Sequence, residues 1–316
     1  MADSQSFEDS INHLPDPNQT IEPSLDRNFD GIAEHFEKKV YGGLKGAIRL
    51  AVLQRDLMEQ IEQMSVKLNR PLKILDVGAG LAQLSIQWAQ RGHQVWVNDI
   101  SDDMLTKAQA AAKQAPLLPP TLYTGDGLNI EQSPVSSGDT NHGSAFDNMT
   151  WSTCPYQSLN EHLKGQFDLI MCHALLEWLG EPEAIMDFFD GWLSAHGVLS
   201  LCFYNPVSFD YRNLIMGNFN LLNNPDFTSD NKKSLTPNNP VAKEVVTNWL
   251  AAHHYEVIKV SGLRVFHDYA PLKRGGHNHP EEVIKMELRY SKLAPYKWMG
   301  RYLHYLAKPL RPVSSI

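Results

Sequence analysis

Apolar positions along this chain fall into two rhythms. Near the start, Phe29, Ile32, Ala33, Phe36 and Val40 recur at helical spacing, and Leu44, Ile48, Val52 and Leu57 continue the series. Residues 27–64 are therefore expected to form two helices, or one helix bent at Gly42-Gly43. After the Asn69-Arg70-Pro71 turn the rhythm shortens, and residues 72–77 read as a buried strand. Strands are then expected at 94–98, 121–124, 167–172 and 198–204, separated by helices up to residue 90, over 102–113 and over 182–193. The remaining chain predicts a helix at 242–252, a strand at 256–260, a helix at 281–291 and a strand at 302–307. Strands alternating with helices at this spacing call for an α/β fold, a mostly parallel, doubly wound sheet with helices on both faces.

Two stretches lack either rhythm. Residues 131–166 are rich in Ser, Asn, Gly, Thr and Asp and read as a long surface insertion between two strands. Residues 1–25 read as a disordered acidic leader and 311–316 as a tail, which leaves one domain over 26–310. The leader has no basic n-region or apolar h-region, so it is not a secretion signal. No apolar run approaches the roughly 20 residues that span a bilayer. Cys154, Cys172 and Cys202 are odd in number and lack C-x-x-C spacing, which fits a reducing cytoplasm rather than a disulfide framework. His277 and His279 alone fall short of a ligand set, and no metal is expected.

Charge changes the picture in one respect. The chain carries a net −8, which argues against indiscriminate binding to nucleic acid. From Val260 to Ile316, however, ten Lys or Arg face four Asp or Glu, so this segment carries +6 and the rest −14. Aromatic residues interleave with the cations around Arg289, Lys292, Lys297 and Arg301, a mixture suited to phosphate contact and base stacking. These four are candidate RNA-binding residues.

The chemistry concentrates at strand ends. The first strand runs through Asp76 into Gly78-Ala79-Gly80-Leu81-Ala82, where small residues let a ligand approach the backbone at a helix N-terminus. Asp99 closes the next strand 19 residues after Gly80, where a carboxylate can accept both hydroxyls of a ribose. Asp126 in Gly125-Asp126-Gly127 follows the third strand and could meet an adenine amino group. Singly, such aspartates are turn formers or helix caps; three at successive strand ends make a site. A dinucleotide-binding fingerprint needs a small residue at position 83, which is Gln83. The small residue sits at 82, and the resulting Asp-x-Gly-x-Gly-x-Ala pattern resembles motif I of class I S-adenosylmethionine methyltransferases. His173, after its strand, falls on the same carboxyl edge.

Longer strings resemble one family within that class, the tRNA 5-carboxymethoxyuridine methyltransferases. They are Asp26–Ala33 with Tyr41-Gly42 and Lys45-Gly46, His173–Trp178, Phe203-Tyr204-Asn205, Gly217-Asn218-Phe219 and Gly262–Tyr269. The resemblance implies a Rossmann-like sheet ending in an antiparallel hairpin of the last two strands, with S-adenosylmethionine as cofactor. It also implies methyl transfer to the carboxylate of 5-carboxymethoxyuridine at the wobble position, giving the methyl ester, with the tRNA anticodon stem-loop as partner; no stable protein partner is implied. Its cofactor-binding positions fall on Arg49, Gly78, Ala79, Asp99, Gly127, Leu128 and His173, with Arg49 suited to a methionine carboxylate.

An ionised acceptor needs no general base; it needs alignment with the methyl carbon. Arg264, His267 and Tyr204 are candidates for holding it. Read as a strand, 264–267 puts Arg264 and His267 on opposite faces, so they share a target only if the segment is irregular. Arg264 and Asp268 could equally form a local ion pair. A small-molecule methyltransferase with a closed pocket, and a pseudoenzyme that binds the cofactor as a scaffold, are the alternatives.

Overall fold

The computed structural model describes residues 26–31, 34, 37–118, 143–223, 237, 239–270 and 274–310. The expectations for the leader at 1–25, the strand at 121–124, residues Asp126, Gly127 and Leu128, and the tail at 311–316 lie outside them. Residues 26–31 are not helical, contrary to expectation, and a π turn over Glu37–Tyr41 leads into α1 (Gly43–Leu68). There follow β1 (Lys73–Val77), α2 (Gln83–Gln90), β2 (Gln94–Asp99), α3 (Asp102–Gln114), β3 (Met149–Thr153), β4 (Phe167–His173), α4 (Ile185–Trp192) and β5 (Leu193–Tyr204). Helices α5 (Pro206–Met216) and α6 (Phe219–Asn223), which the apolar rhythm did not reveal, come next. The chain closes with α7 (Lys243–Ala252), β6 (Tyr255–Leu263), α8 (Pro280–Tyr290) and β7 (Tyr302–Pro309).

The seven strands pair in the order β3-β2-β1-β4-β5-β7-β6. All pairings are parallel except those of β7, which runs antiparallel to both β5 and β6. This is the Rossmann-like, doubly wound sheet with its terminal antiparallel hairpin. The order reverses between β1 and β4, and ligands bind such sheets at the carboxyl ends flanking the switch. Alternation along β1 shows how one strand serves two cores: Ile74 joins α1, α2 and α3 on one face, while Leu75 and Val77 join α4 and α7 on the other.

The segment expected to be a surface insertion is structural from Gly143 onward. Residues Met149–Thr153 extend the sheet as its edge strand, in register with Val95–Asp99. Tyr156, Leu159 and Leu163 then bury against α4 and the strands. The strand is short, half-exposed and polar, so it carries little of the apolar signal that marks a central strand. Leu159 is 0% exposed, so Leu159→Ala should cost about 2–5 kcal/mol in a denaturant titration. A loss under about 0.5 kcal/mol would return the segment to the status of a surface loop.

Candidate functional site

The loop after β1 is shaped by backbone geometry. Gly78 and Gly80 have φ of +68° and +56°, and Ala82, which caps α2, has φ of 49° without a side-chain hydrogen bond. A Cβ at Gly80 would stand 2.5 Å from the Tyr41 hydroxyl, and one at Gly78 would meet Leu175 at 2.9 Å. Positive φ and close approach both demand glycine here. Asp99 locks the loop: its Oδ2 accepts from the Gly80 amide at 2.7 Å and its Oδ1 from the Ser101 amide at 2.9 Å. Burial raises the Asp99 carboxyl above its usual range, with those amides pulling the other way. Asp76 lies behind the loop, accepting from Ser85 Oγ at 2.6 Å, and burial pushes it up to about 7 against the pull of Ser85 and Arg49.

These groups open onto one cleft of about 890 Å³, its mouth included, lined among others by Arg49, Gly78, Gly80, Asp99, His173 and Tyr302. A recess beside it is bordered by Arg49, Asp76, Ala79 and His173. The structure thus brings together the described cofactor candidates. Arg49 lies over the Tyr41 ring at 5.2 Å, and its buried Nε has no hydrogen-bond partner among the described residues. A buried guanidinium with an unused donor, a glycine cradle and a strand-end carboxylate fit the amino-acid end, the sulfonium region and the ribose of S-adenosylmethionine.

A strap missed by sequence reasoning covers the cleft. Asp26, Arg27 and Phe29 line it. The Gly180 amide donates to Asp26 Oδ1 at 3.1 Å, the Arg27 amide donates to the Trp178 carbonyl at 3.1 Å, and Phe29 meets Trp178 edge to face. The sequence placed these residues in a family string and at the start of a helix, and neither reading showed that they line the cleft.

The segment 264–267 is not a strand. Buried Glu287 on α8 accepts from the amides of Val265, Phe266 and His267 at 2.8, 3.2 and 2.8 Å, and this capture bends the chain away from the sheet. Arg264 sits at φ 58°, and its guanidinium lies over the Tyr302 ring at 5.5 Å and 3.5 Å from Asp268. Of the alternatives the sequence left open, the local ion pair with Asp268 is formed. Tyr302 packs edge to face on Tyr204, and Arg301 covers Tyr204 at 4.9 Å. Lys45 stands 3.8 Å from Asp268, and its pKa is lowered by burial and by the charges of Arg264, Arg212 and Arg301. Lys45 and Arg264 therefore flank Asp268 near Tyr302, and Arg212 and Arg301 lie within electrostatic reach of Lys45. Lys45 entered only as part of a family string, and Arg212 had no sequence signal. His267 is buried on the same loop, and Arg301, read as an RNA contact, belongs to this cluster. Arg289 and Lys292 are exposed at the end of α8, and Lys297 lies over Trp298 at 4.7 Å. Among the described residues, no helix is long and apolar enough to cross a membrane.

Comparison with known proteins points the same way. A methyltransferase domain model matches residues 75–199. The tRNA 5-carboxymethoxyuridine methyltransferase of Escherichia coli (strain K12) is 34% identical over 283 residues, covering 90% of this chain and 96% of that one. A ubiquinone biosynthesis O-methyltransferase of Psychrobacter cryohalolentis is 30% identical over 166 residues, 52% of this chain and 54% of that protein. Among solved structures, magnesium protoporphyrin IX methyltransferase from Synechocystis PCC 6803 with bound SAH superposes with a TM-score of 0.50 at 15% identity, covering 89% of this chain and 96% of that one. That likeness concerns the fold.

Proposed function

The chain belongs to the tRNA 5-carboxymethoxyuridine methyltransferase family, and from that premise we propose that it methylates the carboxylate of 5-carboxymethoxyuridine at the tRNA wobble position, forming the methyl ester. Its class, an S-adenosylmethionine-dependent tRNA methyltransferase, follows from family membership. The observation that carries the finer reading is the pair Lys45 and Arg264 flanking Asp268 beside Tyr302, with Arg212 and Arg301 close enough for their charges to act on Lys45. This excess of positive charge at the far end of the cofactor cleft suits an acceptor that arrives as an anion. A neutral small molecule gives no reason for it, and the intact glycine loop with Asp99 argues against a scaffold without catalysis.

S-adenosylmethionine supplies an electrophilic methyl group on a sulfonium. The chain's own part is to hold both ends still. Arg49 would pair with the methionine carboxylate, Asp99 would accept from the ribose hydroxyls, and the cation cluster would turn the uridine carboxylate toward the cleft. With an acceptor that arrives already ionised, alignment by these residues rather than proton removal would govern the transfer. Aromatic rings beside the cations, Tyr204 and Tyr302 within the cluster and Trp298 near Lys297, suit a base lifted out of the anticodon loop.

The test uses S-adenosylmethionine and tRNA carrying 5-carboxymethoxyuridine, both saturating, with nucleosides separated after digestion. The methyl ester should form, and its single-turnover rate should stay nearly flat between about pH 6 and 9, because a carboxylate of pKa about 4 is ionised throughout. His173 adds no inflection: burial, His304 and Arg49 hold it well below its usual range, so it stays neutral. A rate rising about tenfold per pH unit between about pH 6 and 8 would require an amine or hydroxyl acceptor instead.

A further inference from the structure

A row of polar side chains crosses the α1 face of the sheet where apolar residues would be expected. In register across β4, β5, β7 and β6 lie His173, Cys202, His304 and Ser261, with Ser200 two residues before Cys202 on the same face. They form a continuous hydrogen-bonded line. His173 Nε2 is 2.7 Å from Ser200 Oγ, Ser200 Oγ is 2.8 Å from His304 Nε2, and His304 Nδ1 is 3.0 Å from Asp56 Oδ2 on α1. All four residues are buried, at 8%, 0%, 1% and 0% exposure in that order.

The direction of this line is set at its far end. Burial alone would raise the Asp56 carboxyl, but His304 and Arg55 hold it well below the usual carboxylate range, so it is ionised and can only accept. His304 Nδ1 must therefore carry a proton. Lys259 stands 3.5 Å from Asp56 and 3.6 Å from Glu59, and Arg55 bonds Asp56 at 2.6 Å, so two cations and two carboxylates already balance. A second proton on buried His304 would leave this balanced group with an uncompensated positive charge, so its Nε2 is bare and accepts the Ser200 hydroxyl proton. Ser200 Oγ in turn accepts from His173 Nε2–H. His173 lines the cleft, and its hydrogen bond within the protein runs through Nε2, so the ring edge on the cleft carries Nδ1.

We infer that Asp56, His304 and Ser200 are positioning residues that hold His173 as its Nε2–H tautomer, presenting a bare Nδ1 to the cofactor cleft as an acceptor for the α-ammonium of S-adenosylmethionine. The cofactor part of this assignment rests on the proposed function; the tautomer does not. Arg49 beside His173 takes the carboxylate of the same amino-acid group, so the pair reads a zwitterion.

The inference makes an unusual demand on Asp56→Asn. Arg55 Nε and Nη2 both donate to Asp56 Oδ1, at 3.0 and 2.6 Å, which pins the amide oxygen of the variant there. Its NH₂ then faces His304 Nδ1 and must donate. His304 becomes the Nε2–H form, Ser200 turns its proton toward His173, and His173 becomes the Nδ1–H form, three hydrogen bonds from the substitution. Long-range nitrogen–proton NMR on histidine-labelled free protein reads this directly, with His173 assigned through His173→Gln. Wild type should show Nε2–H, and Asp56→Asn should show Nδ1–H with the Kd for S-adenosylmethionine raised about tenfold by calorimetry. In a Ser200→Ala background, Asp56→Asn should leave the His173 signal unmoved, because the line is cut. Nδ1–H at His173 in wild type overturns the inference, and so does an unchanged tautomer in a folded Asp56→Asn. Should that variant not fold, the wild-type spectrum and a Ser200→Ala affinity equal to wild type still decide against it. A tRNA assay that fails while the NMR holds would count against the substrate reading alone.

Discussion

Asp99→Ala is expected to weaken S-adenosylmethionine binding by about 100-fold or more, with little change in the cooperativity of unfolding. A hydrogen bond to a charged group contributes about 1.5–3 kcal/mol, and the ribose is expected to make two with this carboxylate. The same carboxylate also fixes the loop, since its two oxygens accept from the Gly80 and Ser101 amides. Alanine therefore removes ligand contacts and frees the backbone that cradles the ligand. Asp99→Asn should be nearly as damaging, although it conserves shape. Both oxygen positions face an amide N–H, so wherever the variant puts its NH₂, two donors oppose each other. Titration calorimetry on both variants checks this, and near-wild-type affinity in either would remove Asp99 from the cofactor site.

Arg301→Met is expected to lower kcat/KM for tRNA carrying 5-carboxymethoxyuridine by about 100-fold while S-adenosylmethionine affinity stays within about twofold. Arg301 Nη1 is buried and has no hydrogen-bond partner among the described residues, so it is a donor the proposed acceptor can use. Its guanidinium is already ordered over Tyr204, so it meets the acceptor with little conformational cost. A remote RNA-phosphate contact would behave differently. It would raise KM alone, the defect would deepen with salt, and kcat would survive. A phenotype of that second kind would move the acceptor site away from the Arg301–Tyr204–Tyr302–Arg264 stack.

Much of this site was legible in the sequence because it is built from local patterns. Asp76 to Ala82 is one contiguous turn, and Asp99 follows at the distance that one helix and one strand impose. Strand ends place His173 beside them without any knowledge of packing. What stayed hidden is non-local or polar. Asp56 and His304 are 248 residues apart and look, one by one, like a helix-surface acid and a strand histidine. Glu287 reads as a solvated helix position, yet it captures three amides and turns an apparent strand into the loop that aims Arg264. β3 was hidden for a third reason, since an edge strand with one wet face buries too little to show a two-residue rhythm. Apolar periodicity reports what a segment buries, and these segments act through what they hydrogen-bond.

The strap at residues 26–31 ties this chemistry to a clock. Asp26, Arg27 and Phe29 are both the wall of the cofactor cleft and the groups that clasp Trp178 and Gly180. Exchange of spent for fresh cofactor is therefore expected to need the clasp undone, with the residence time of S-adenosylhomocysteine following how often Phe29 leaves Trp178. Loosening the clasp would shorten that residence and leave the methyl-transfer step itself untouched, so turnover under many-cycle conditions and the rate of a single transfer are controlled from opposite ends of the cleft.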